Sequence, residues 1–296
     1  MNSSASSAGL VLSSAAAWPC APRVEIQGLT LAYGRQQVLQ GLQWRLDPGQ
    51  VIGLLGRNGA GKTTLLEALL GLRDASAGSV HLFGQPATRL DDAARARIGY
   101  VPQQSDLFEE LRADELLAYF RSFYPRWNAA KVQGLLERWA VPRDMPIGRM
   151  SSGQQQRLSL IRALAHEPEL LVLDEPMASL DPLARRDFLR ELVERVLDRG
   201  TTVVFSTHIL SDLERVAFNV AFLREGRIAL QAPLDELLDE TRLLIGPEVL
   251  LNAQPGVEVL SRRSGHWLVR RVDEAALAPG LVAQRASLED LFEALT

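Results

Sequence analysis

The most constraining feature of the chain is a glycine-rich segment between an apolar run and a helix-like run. Val51 to Leu55 is apolar, which predicts a short buried strand. The residues from Gly56 to Thr63 then follow the pattern G-x-x-x-x-G-K-[ST], and Lys62 to Leu72 has helical character. Glycines in such a segment let backbone N–H groups surround phosphate oxygens, and the helix N-terminus adds partial positive charge. The segment therefore predicts binding of a nucleoside triphosphate.

The lysine of this segment stands out because the chain has only two lysines, Lys62 and Lys131. Lys62 would reach the β- and γ-phosphates as a point charge, and Thr63 would bind Mg²⁺. The alternative is a glycine-rich turn that only caps a helix, and the full match to the pattern argues against it. The candidate nucleotide-binding residues here are Gly56, Arg57, Asn58, Gly59, Ala60, Gly61, Lys62, Thr63 and Thr64.

A pair of carboxylates supports the same prediction. Leu170 to Leu173 is an apolar run that ends in Asp174 and Glu175. Ligands bind at the carboxyl edge of a parallel sheet, where this pair would lie. Asp174 would join the shell of a Mg²⁺ ion, and Glu175 would orient or deprotonate a water that attacks the γ-phosphate. A solvated acidic strand end is the alternative, and the glycine-rich segment makes it the weaker one.

Composition sets outer limits on the chain's function. Of the 296 residues, 47% are hydrophobic, so a sizeable core can form. The net charge of −4 gives no global basic field, so no nucleic-acid partner is expected. Cys20 is the only cysteine, which excludes an internal disulfide. The sequence has no apolar run of about 18 residues, the length that predicts a membrane-spanning helix. Residues 1–22 are uncharged and rich in Ser and Ala; they predict a flexible tail rather than a signal peptide, and hence a cytoplasmic chain.

Strand-like and helix-like runs alternate along the chain, which predicts an α/β fold with a parallel sheet. Helical periodicity from Leu107 to His166 predicts a helical insertion, and Pro182 to Asp198 predicts an amphipathic helix. Towards the end, a hairpin around Arg262 to Gly265 and a helix from Ser287 to Leu295 are predicted. The further predicted strands are Val24–Leu31, Val38–Leu46, Ser79–Phe83, Ile98–Val101 and Thr202–Ser206.

The segment from Met150 to Gln154 resembles the signature motif of ABC-type ATPases. It opens a helical run and precedes the acidic pair, in the order that this family uses. Other motifs of the family match in the expected order along residues 24–236. They are Tyr33 for adenine stacking, Gln103 of the Q-loop, Ala178 to Asp181 of the D-loop and His208 of the switch.

The resemblance implies a fold, a reaction and a set of residue roles. The fold would be a P-loop NTPase core with a mixed sheet, an antiparallel β edge and a helical insertion. ATP would be hydrolysed with Mg²⁺, with Glu175, His208 and Gln103 as catalytic residues. The metal residues would be Thr63, Gln103 and Asp174, and the further nucleotide-binding residues would be Tyr33, Ser151, Ser152, Gly153, Gln154 and Asp181.

The resemblance also implies a domain plan and a dimer. Residues 23–236 would form the ATPase domain, with its helical subdomain at about 104–166, and residues 237–296 a small α+β accessory domain. In the family, the signature of one subunit meets the γ-phosphate bound to another, so a second ATPase subunit, identical or different, is expected. The sequence departs from the family pattern at Met150, where Leu is usual, and at Ser152, where Gly is usual. In the D-loop, Ala178 and Ser179 stand where Ser followed by Gly or Ala is more usual.

Three further segments resemble the ABC-2 branch of the family, which exports antibiotics and other drugs. They are Phe123–Trp127, Ser206–Glu214 and Ser287–Phe292. By analogy they favour an exporter subunit at the cytoplasmic face of the inner membrane, held there by a separate membrane permease. A soluble ABC ATPase for cofactor assembly or another non-transport role is the alternative, and a non-catalytic regulatory subunit is disfavoured by Glu175 and His208. Phe108, Tyr119 and Phe120 would either receive the permease or pack the insertion's own core.

Overall fold

The structure is a computed structural model that describes residues 21–208, 210–213, 219–253, 257–263 and 265–296. The predicted N-terminal tail lies outside the described residues except for Ala21 and Pro22. The strands are β1 (Val24–Tyr33), β2 (Gln36–Leu46), β3 (Val51–Leu55), β4 (Ala77–Leu82), β5 (Gln85–Pro86), β6 (Ile98–Val101), β7 (Leu170–Leu173), β8 (Thr202–Thr207), β9 (Asn219–Arg224), β10 (Arg227–Pro233), β11 (Thr241–Ile245), β12 (Glu258–Arg263), β13 (His266–Arg270) and β14 (Val282–Arg285). The helices are α1 (Lys62–Leu69), α2 (Asp92–Arg95), α3 (Ala113–Arg121), α4 (Ala129–Arg138), α5 (Ser152–Ala165), α6 (Pro182–Arg199), α7 (Leu210–Leu213), α8 (Leu234–Glu240), α9 (Glu248–Ala253) and α10 (Leu288–Leu295).

The central sheet has the strand order β10-β9-β3-β8-β7-β6. All its neighbouring strands pair in parallel except β9 and β10. Every residue of β3, β7 and β8 is buried, as expected for apolar strands that are covered on both faces. A separate antiparallel sheet, with the order β2-β1-β4-β5, packs against the α1 side of the core. The predicted α/β architecture, with its mixed sheet and antiparallel β edge, is confirmed.

Helix α1 and the β9–β10 hairpin are among the elements that differ from the sequence-based expectations. Helix α1 ends at Leu69 rather than Leu72, because Gly71 takes a left-handed backbone conformation at φ +72° and packs against the carbonyl of Ala87. The β9–β10 hairpin was not predicted. Its turn is Glu225-Gly226, and both residues have positive φ, as a type I′ hairpin turn requires.

The predicted helical insertion contains α3, α4 and α5, whose apolar faces form one core with the central sheet. A buried carboxylate with two partly exposed cations joins this region to α6. Glu191 on α6 is 2% exposed and contacts Lys131 and Arg138, both on α4; its distance to the Arg138 guanidinium is 2.6 Å. The chain's second lysine therefore serves a structural contact between the insertion and the rest of the core.

The C-terminal region forms a third sheet with the order β12-β13-β11-β14, in which all pairings are antiparallel. The predicted hairpin and terminal helix are both present, and Ser287 caps α10 by accepting a hydrogen bond from the backbone N–H of Asp290. Helix α10 packs back on β9, and its buried residues Leu288, Leu291 and Leu295 belong to the same apolar cluster as Phe222 of the central sheet. The C-terminal region is thus packed against the central sheet.

The part of the chain that the structure describes contains no helix with the length and apolarity needed to cross a membrane.

The ion pairs of Glu191 generate a stability prediction. Replacing Glu191 with Ala removes the carboxylate that Lys131 and Arg138 share. Because these two cations are 25% and 45% exposed and can be solvated, we expect the free energy of unfolding to fall by about 2 kcal/mol, between the values for an exposed and a fully buried pair. Urea denaturation followed by circular dichroism measures this change. Arg95→Ala is the control, because its ion pair with Asp92 is exposed and is expected to contribute less than about 0.5 kcal/mol. Equal effects of the two variants would contradict the structural role of Glu191.

Candidate nucleotide-binding and hydrolysis site

Four loops of the central sheet meet at one edge. Strands β3, β6, β7 and β8 run parallel, so the residues that follow them lie along their common carboxyl edge. These residues are the glycine-rich loop after β3, Gln103 after β6, Asp174 and Glu175 after β7, and His208 after β8. The fold therefore brings together the predicted residues of four separate sequence segments.

The glycine-rich loop depends on backbone conformations that favour glycine. Gly59 and Gly61 have φ values of +81° and +98°. A Cβ at Gly61 would lie 2.7 Å from the Val38 side chain, and one at Gly56 would lie 3.0 Å from the Leu223 carbonyl oxygen. The loop leads directly into α1, whose first backbone N–H groups are open to an anion.

Lys62 is buried at the centre of this loop. Its Nζ donates to the carbonyl of Gly56 at 2.8 Å and to that of Arg57 at 3.4 Å. It also lies 3.7 Å from Oε1 of Glu175. The ammonium is thus held between the loop and the acidic pair, in position to meet phosphate oxygens.

Asp174 and Glu175 are connected through one serine hydroxyl. Ser206 Oγ on β8 donates to Asp174 Oδ1 at 2.5 Å, and accepts from the Glu175 backbone N–H at 2.7 Å. Asp174 is 1% exposed, and its backbone N–H donates to the carbonyl of Val101 on β6. Burial and the neighbouring Asp174 carboxylate raise the pKa of Tyr100 to about 12, so this phenol stays neutral beside the site.

The second oxygen of Asp174 fits a Mg²⁺ site. Oδ2 is buried and has no hydrogen-bond partner in the structure, which is a costly arrangement unless a ligand or an ordered water meets it. Mg²⁺ characteristically takes one or two protein oxygens together with phosphates and water, and Thr63 at the start of α1 offers a hydroxyl. The described residues contain no cluster of three His, Cys, Asp or Glu side chains that would hold a metal by itself.

Glu175 has the geometry of a residue that positions a water. Its backbone φ is +48°, a strained conformation for this residue type. Its side chain is 9% exposed, and Oε2 lies 2.9 Å from Nδ1 of His208, which is half exposed. One carboxylate thus faces Lys62 through one oxygen and His208 through the other. Such a group can orient a water and accept its proton.

Tyr33 and Gln103 lie at the margins of the site. The Tyr33 hydroxyl is 3.4 Å from the hydroxyl of Thr64 on α1, and its half-exposed ring lies 6.0 Å from the Arg73 guanidinium carbon. This places an open aromatic face beside the glycine-rich loop. Gln103 is exposed, two residues after the end of β6.

The signature segment begins α5. Ser151 caps this helix: its Oγ accepts from the backbone N–H of Gln154, whose side chain in turn accepts from the backbone N–H of Ser151. Ser152 is exposed in the first turn with a helical backbone, so the glycine that is usual at this position is not needed for backbone conformation here. Gly153 is needed, because a Cβ there would lie 2.8 Å from the carbonyl oxygen of Ser179.

Asp181 contacts the signature helix α5 through its carboxylate. Oδ1 of Asp181 accepts hydrogen bonds from the backbone N–H groups of Leu183 and Ala184, and Oδ2 contacts Arg157 of α5 at 2.6 Å. The Ala184 N–H, with help from Arg157, holds the pKa of the Asp181 carboxyl below its usual range. No hydrogen bond or ion pair among the described residues joins Ser151, Ser152, Gly153, Gln154 or Asp181 to the glycine-rich loop of the same chain. The predicted site residues therefore form two groups. The first lies around the glycine-rich loop and the acidic pair, and the second consists of the start of α5 and Asp181.

Sequence reasoning missed Ser206 and Arg157. Ser206 lies on β8, two residues before the predicted site residue His208. Its contact with Asp174 could not be predicted, because it depends on the pairing of β8 with β7. Arg157 lies six residues after Ser151 on α5, and its contact with Asp181 likewise depends on the tertiary structure.

An aromatic patch lies on the helical region after Gln103, and it consists of Phe108, Tyr119, Phe120 and Phe123. The four rings contact one another with centroid distances of 5.1–6.4 Å. Phe120 is partly buried and packs on the core beneath Arg162, whereas the other three rings are 44–60% exposed. Arg162 itself pairs with Asp106, in the loop that follows Gln103. The sequence left two interpretations open, packing in the core of the insertion or exposure as a docking surface. Phe120 packs on the core, whereas the other rings are exposed.

Comparisons with known proteins identify the family of the chain. The sequence model of the family "ABC transporter" matches residues 39–178. The Nod factor export ATP-binding protein I of Paraburkholderia xenovorans (strain LB400) is 34% identical over 92% of this chain and 96% of its own length. A solved structure described as an ATP binding subunit of an ABC transporter is 28% identical with a TM-score of 0.67, over 73% of this chain and 92% of that one.

A second solved structure shares the fold. It is a dimeric, post-hydrolysis state of the ATP-binding cassette MJ0796 with ADP and Pi; it is 23% identical with a TM-score of 0.64, over 71% of this chain and 98% of that one. The P-loop NTPase fold is therefore confirmed. The chain belongs to the ABC transporter family, as an ATP-binding subunit with ATPase activity.

Proposed function

We propose that the chain drives export by binding and hydrolysing ATP as one of two paired ATPase subunits on a separate membrane permease. ATP hydrolysis is supported above all by the position of Glu175. Its carboxylate contacts both Lys62 and His208, and it lies next to Asp174, whose Oδ2 has no hydrogen-bond partner. The export part is supported by the name of the relative from Paraburkholderia, a Nod factor export protein that covers nearly the whole chain.

In this proposal each residue of the sheet edge has one role. The glycine-rich loop and Lys62 bind the phosphates, and the Tyr33 ring stacks on adenine. Thr63, Asp174 and Gln103 hold Mg²⁺, which when bound offsets negative charge on the phosphate oxygens. Glu175 orients the attacking water and accepts its proton, and His208 fixes the Glu175 carboxylate through their hydrogen bond.

The second group of residues acts on another subunit's nucleotide. Ser151, Ser152, Gly153 and Gln154 lie at the N-terminus of α5, where backbone N–H groups favour an anion. They make no polar contact with the glycine-rich loop among the described residues of this chain, which fits their use on a nucleotide held by a second copy or a related subunit. Arg157 and Asp181 would move this helix start together with the D-loop. The dimeric cassette of the same fold supports the pairing.

The aromatic patch is the proposed permease surface. Its three exposed rings lie on the segment that follows Gln103 and are connected to α5 through Asp106 and Arg162. A permease helix that covers these rings would bury apolar area and contact the segment that leads to the nucleotide. The chain would then be a peripheral protein of the cytoplasmic membrane face.

Affinity purification of the tagged full chain from gently solubilised cells tests the transport role. We expect an integral membrane protein in fixed ratio with the chain. Recovery of the chain alone, or only with soluble proteins, would contradict the transport role and favour a soluble assembly ATPase.

The aromatic patch gives a prediction for the same purification. Replacing Tyr119 and Phe123 with Ser removes exposed apolar area, so the membrane partner should be lost while ATP binding is retained. Val249→Ser is the matched control, because it removes an apolar side chain that is 78% exposed elsewhere. Undiminished recovery of the partner with the patch variant would show that the permease binds another surface.

Glu175→Gln tests the proposed catalytic base. The amide preserves shape but accepts no proton, so we expect phosphate release to fall about 100-fold or more, with ATP binding retained and a stable nucleotide-bound dimer formed. Phosphate release and light scattering after size exclusion measure both effects. Glu225→Gln, at an exposed hairpin turn, is the control and should behave as wild type. Turnover at the wild-type rate in Glu175→Gln would exclude the role of base.

Lys62→Ala tests phosphate binding. Loss of the charged hydrogen bonds to the phosphates should weaken ATP about 10- to 100-fold, as measured by isothermal titration calorimetry. Lys131→Ala removes the chain's other lysine and should leave ATP affinity unchanged. Equal ATP affinities for the Lys62 variant and the wild type would place the phosphates elsewhere.

A further inference from the structure

Ser206 occupies a constrained position next to the proposed hydrolysis site. It lies on β8 between β3 and β7, is fully buried, and pairs in register with Leu54. Its neighbours on the adjacent strand end are the two carboxylates Asp174 and Glu175. A serine in the middle of a buried apolar sheet is costly unless its hydroxyl is hydrogen-bonded.

The orientation of the Ser206 hydroxyl is determined by its two partners. A hydroxyl has one proton to donate. That proton is directed to Asp174 Oδ1 at 2.5 Å, since the other partner, the Glu175 backbone N–H at 2.7 Å, is itself a donor. The short distance to Oδ1 is typical of a bond to an ionised carboxylate.

This arrangement determines which oxygen of Asp174 remains available. Oδ1 is occupied by Ser206, so Oδ2, which is buried and has no partner, is the oxygen left for a ligand. The same hydroxyl satisfies the N–H of Glu175, whose left-handed backbone at φ +48° needs support from its surroundings. One side chain thus orients both acidic residues.

We propose that Ser206 is a positioning residue that presents Asp174 Oδ2 to Mg²⁺ and holds the backbone of Glu175 for water activation. The proposal rests on the roles of Asp174 and Glu175 given under "Proposed function". Ser206 touches neither nucleotide nor metal in this account. It acts through the orientation of the two carboxylates, as supporting residues of metal sites commonly do.

The same strand offers a matched control. Thr202 is also fully buried on β8, and its hydroxyl also bridges two groups: it donates to the carbonyl of Asp47 and accepts from the N–H of Gly49, at 3.0 and 3.1 Å. It lies at the opposite end of the strand from the carboxylates. Thr202→Ala therefore removes a comparable buried bridge without touching the nucleotide edge.

The experiment compares Ser206→Ala, Thr202→Ala and Asp174→Asn in the full chain. Binding of a fluorescent ATP analogue is titrated in EDTA and in MgCl₂, and ATPase activity is titrated with MgCl₂; thermal melting confirms that each variant is folded. For Ser206→Ala we expect the EDTA affinity of the wild type, a Mg²⁺ requirement raised about 10-fold, in line with other supporting residues, and a lower kcat with unchanged KM for ATP at saturating Mg²⁺. Thr202→Ala should lower only the melting temperature.

Ser206→Thr keeps the hydroxyl and should restore the Mg²⁺ requirement of the wild type. The proposal is overturned if Ser206→Ala retains the wild-type Mg²⁺ requirement while Asp174→Asn raises it, or if Thr202→Ala raises it as much as Ser206→Ala does. A wild-type Mg²⁺ requirement in Asp174→Asn would instead overturn the proposed metal role of Asp174 itself, and the two failures are thereby distinguished.

Discussion

The site depends on the parallel pairing of three buried strands, β3, β7 and β8. Parallel pairing brings the carboxyl ends of these strands to one edge of the sheet, and that edge then collects the polar residues which follow each strand. The register places Leu173 beside Phe205, and hence Asp174 beside Ser206. Packing of the sheet thus determines which polar groups meet, and the charges of Lys62, Asp174 and Glu175 are accommodated because they lie near one another.

Most buried polar groups at this edge have hydrogen-bond or ion-pair partners. Lys62, Asp174 and Ser206 are all at least nine-tenths buried, where a polar group without partners is costly. Each has partners from a different element: carbonyls of the glycine-rich loop, a strand hydroxyl, and an opposing carboxylate. The open Oδ2 of Asp174 and the strained backbone of Glu175 are the exceptions, and both face the place where the account puts Mg²⁺ and water.

The second group of residues forms a different kind of unit. The start of α5 and the D-loop contact each other so closely that Gly153 cannot carry a Cβ, and Arg157 ties the helix to Asp181. A shift of this unit would therefore move both motifs together. Arg162, farther along the same helix, connects it to Asp106 and to the aromatic patch. One helix thus links the proposed permease surface to the residues that would meet a second nucleotide.

Much of the site could be predicted because short segments encode it. The glycine-rich loop with Lys62 is a local pattern, and an apolar run that ends in Asp174 and Glu175 implies a strand end. Ser206 could not be found in this way, since its role depends on a register between strands far apart in the sequence. The β9–β10 hairpin was missed because Glu225-Gly226 is a less familiar turn than Asn-Gly, although its physical requirement for positive φ is the same. The sequence could not show whether Ser152 is tolerated in place of glycine, because the answer depends on its backbone conformation, which is helical.

The most direct test of the account is the structure of the full chain bound to ATP and Mg²⁺. We expect the phosphates on the glycine-rich loop with Lys62 against them, the metal beside Asp174 Oδ2, and Ser151 of a second copy or a partner subunit facing the γ-phosphate. A nucleotide bound away from the carboxyl edge of β3 and β7, or a metal that leaves Asp174 Oδ2 without a partner, would contradict it.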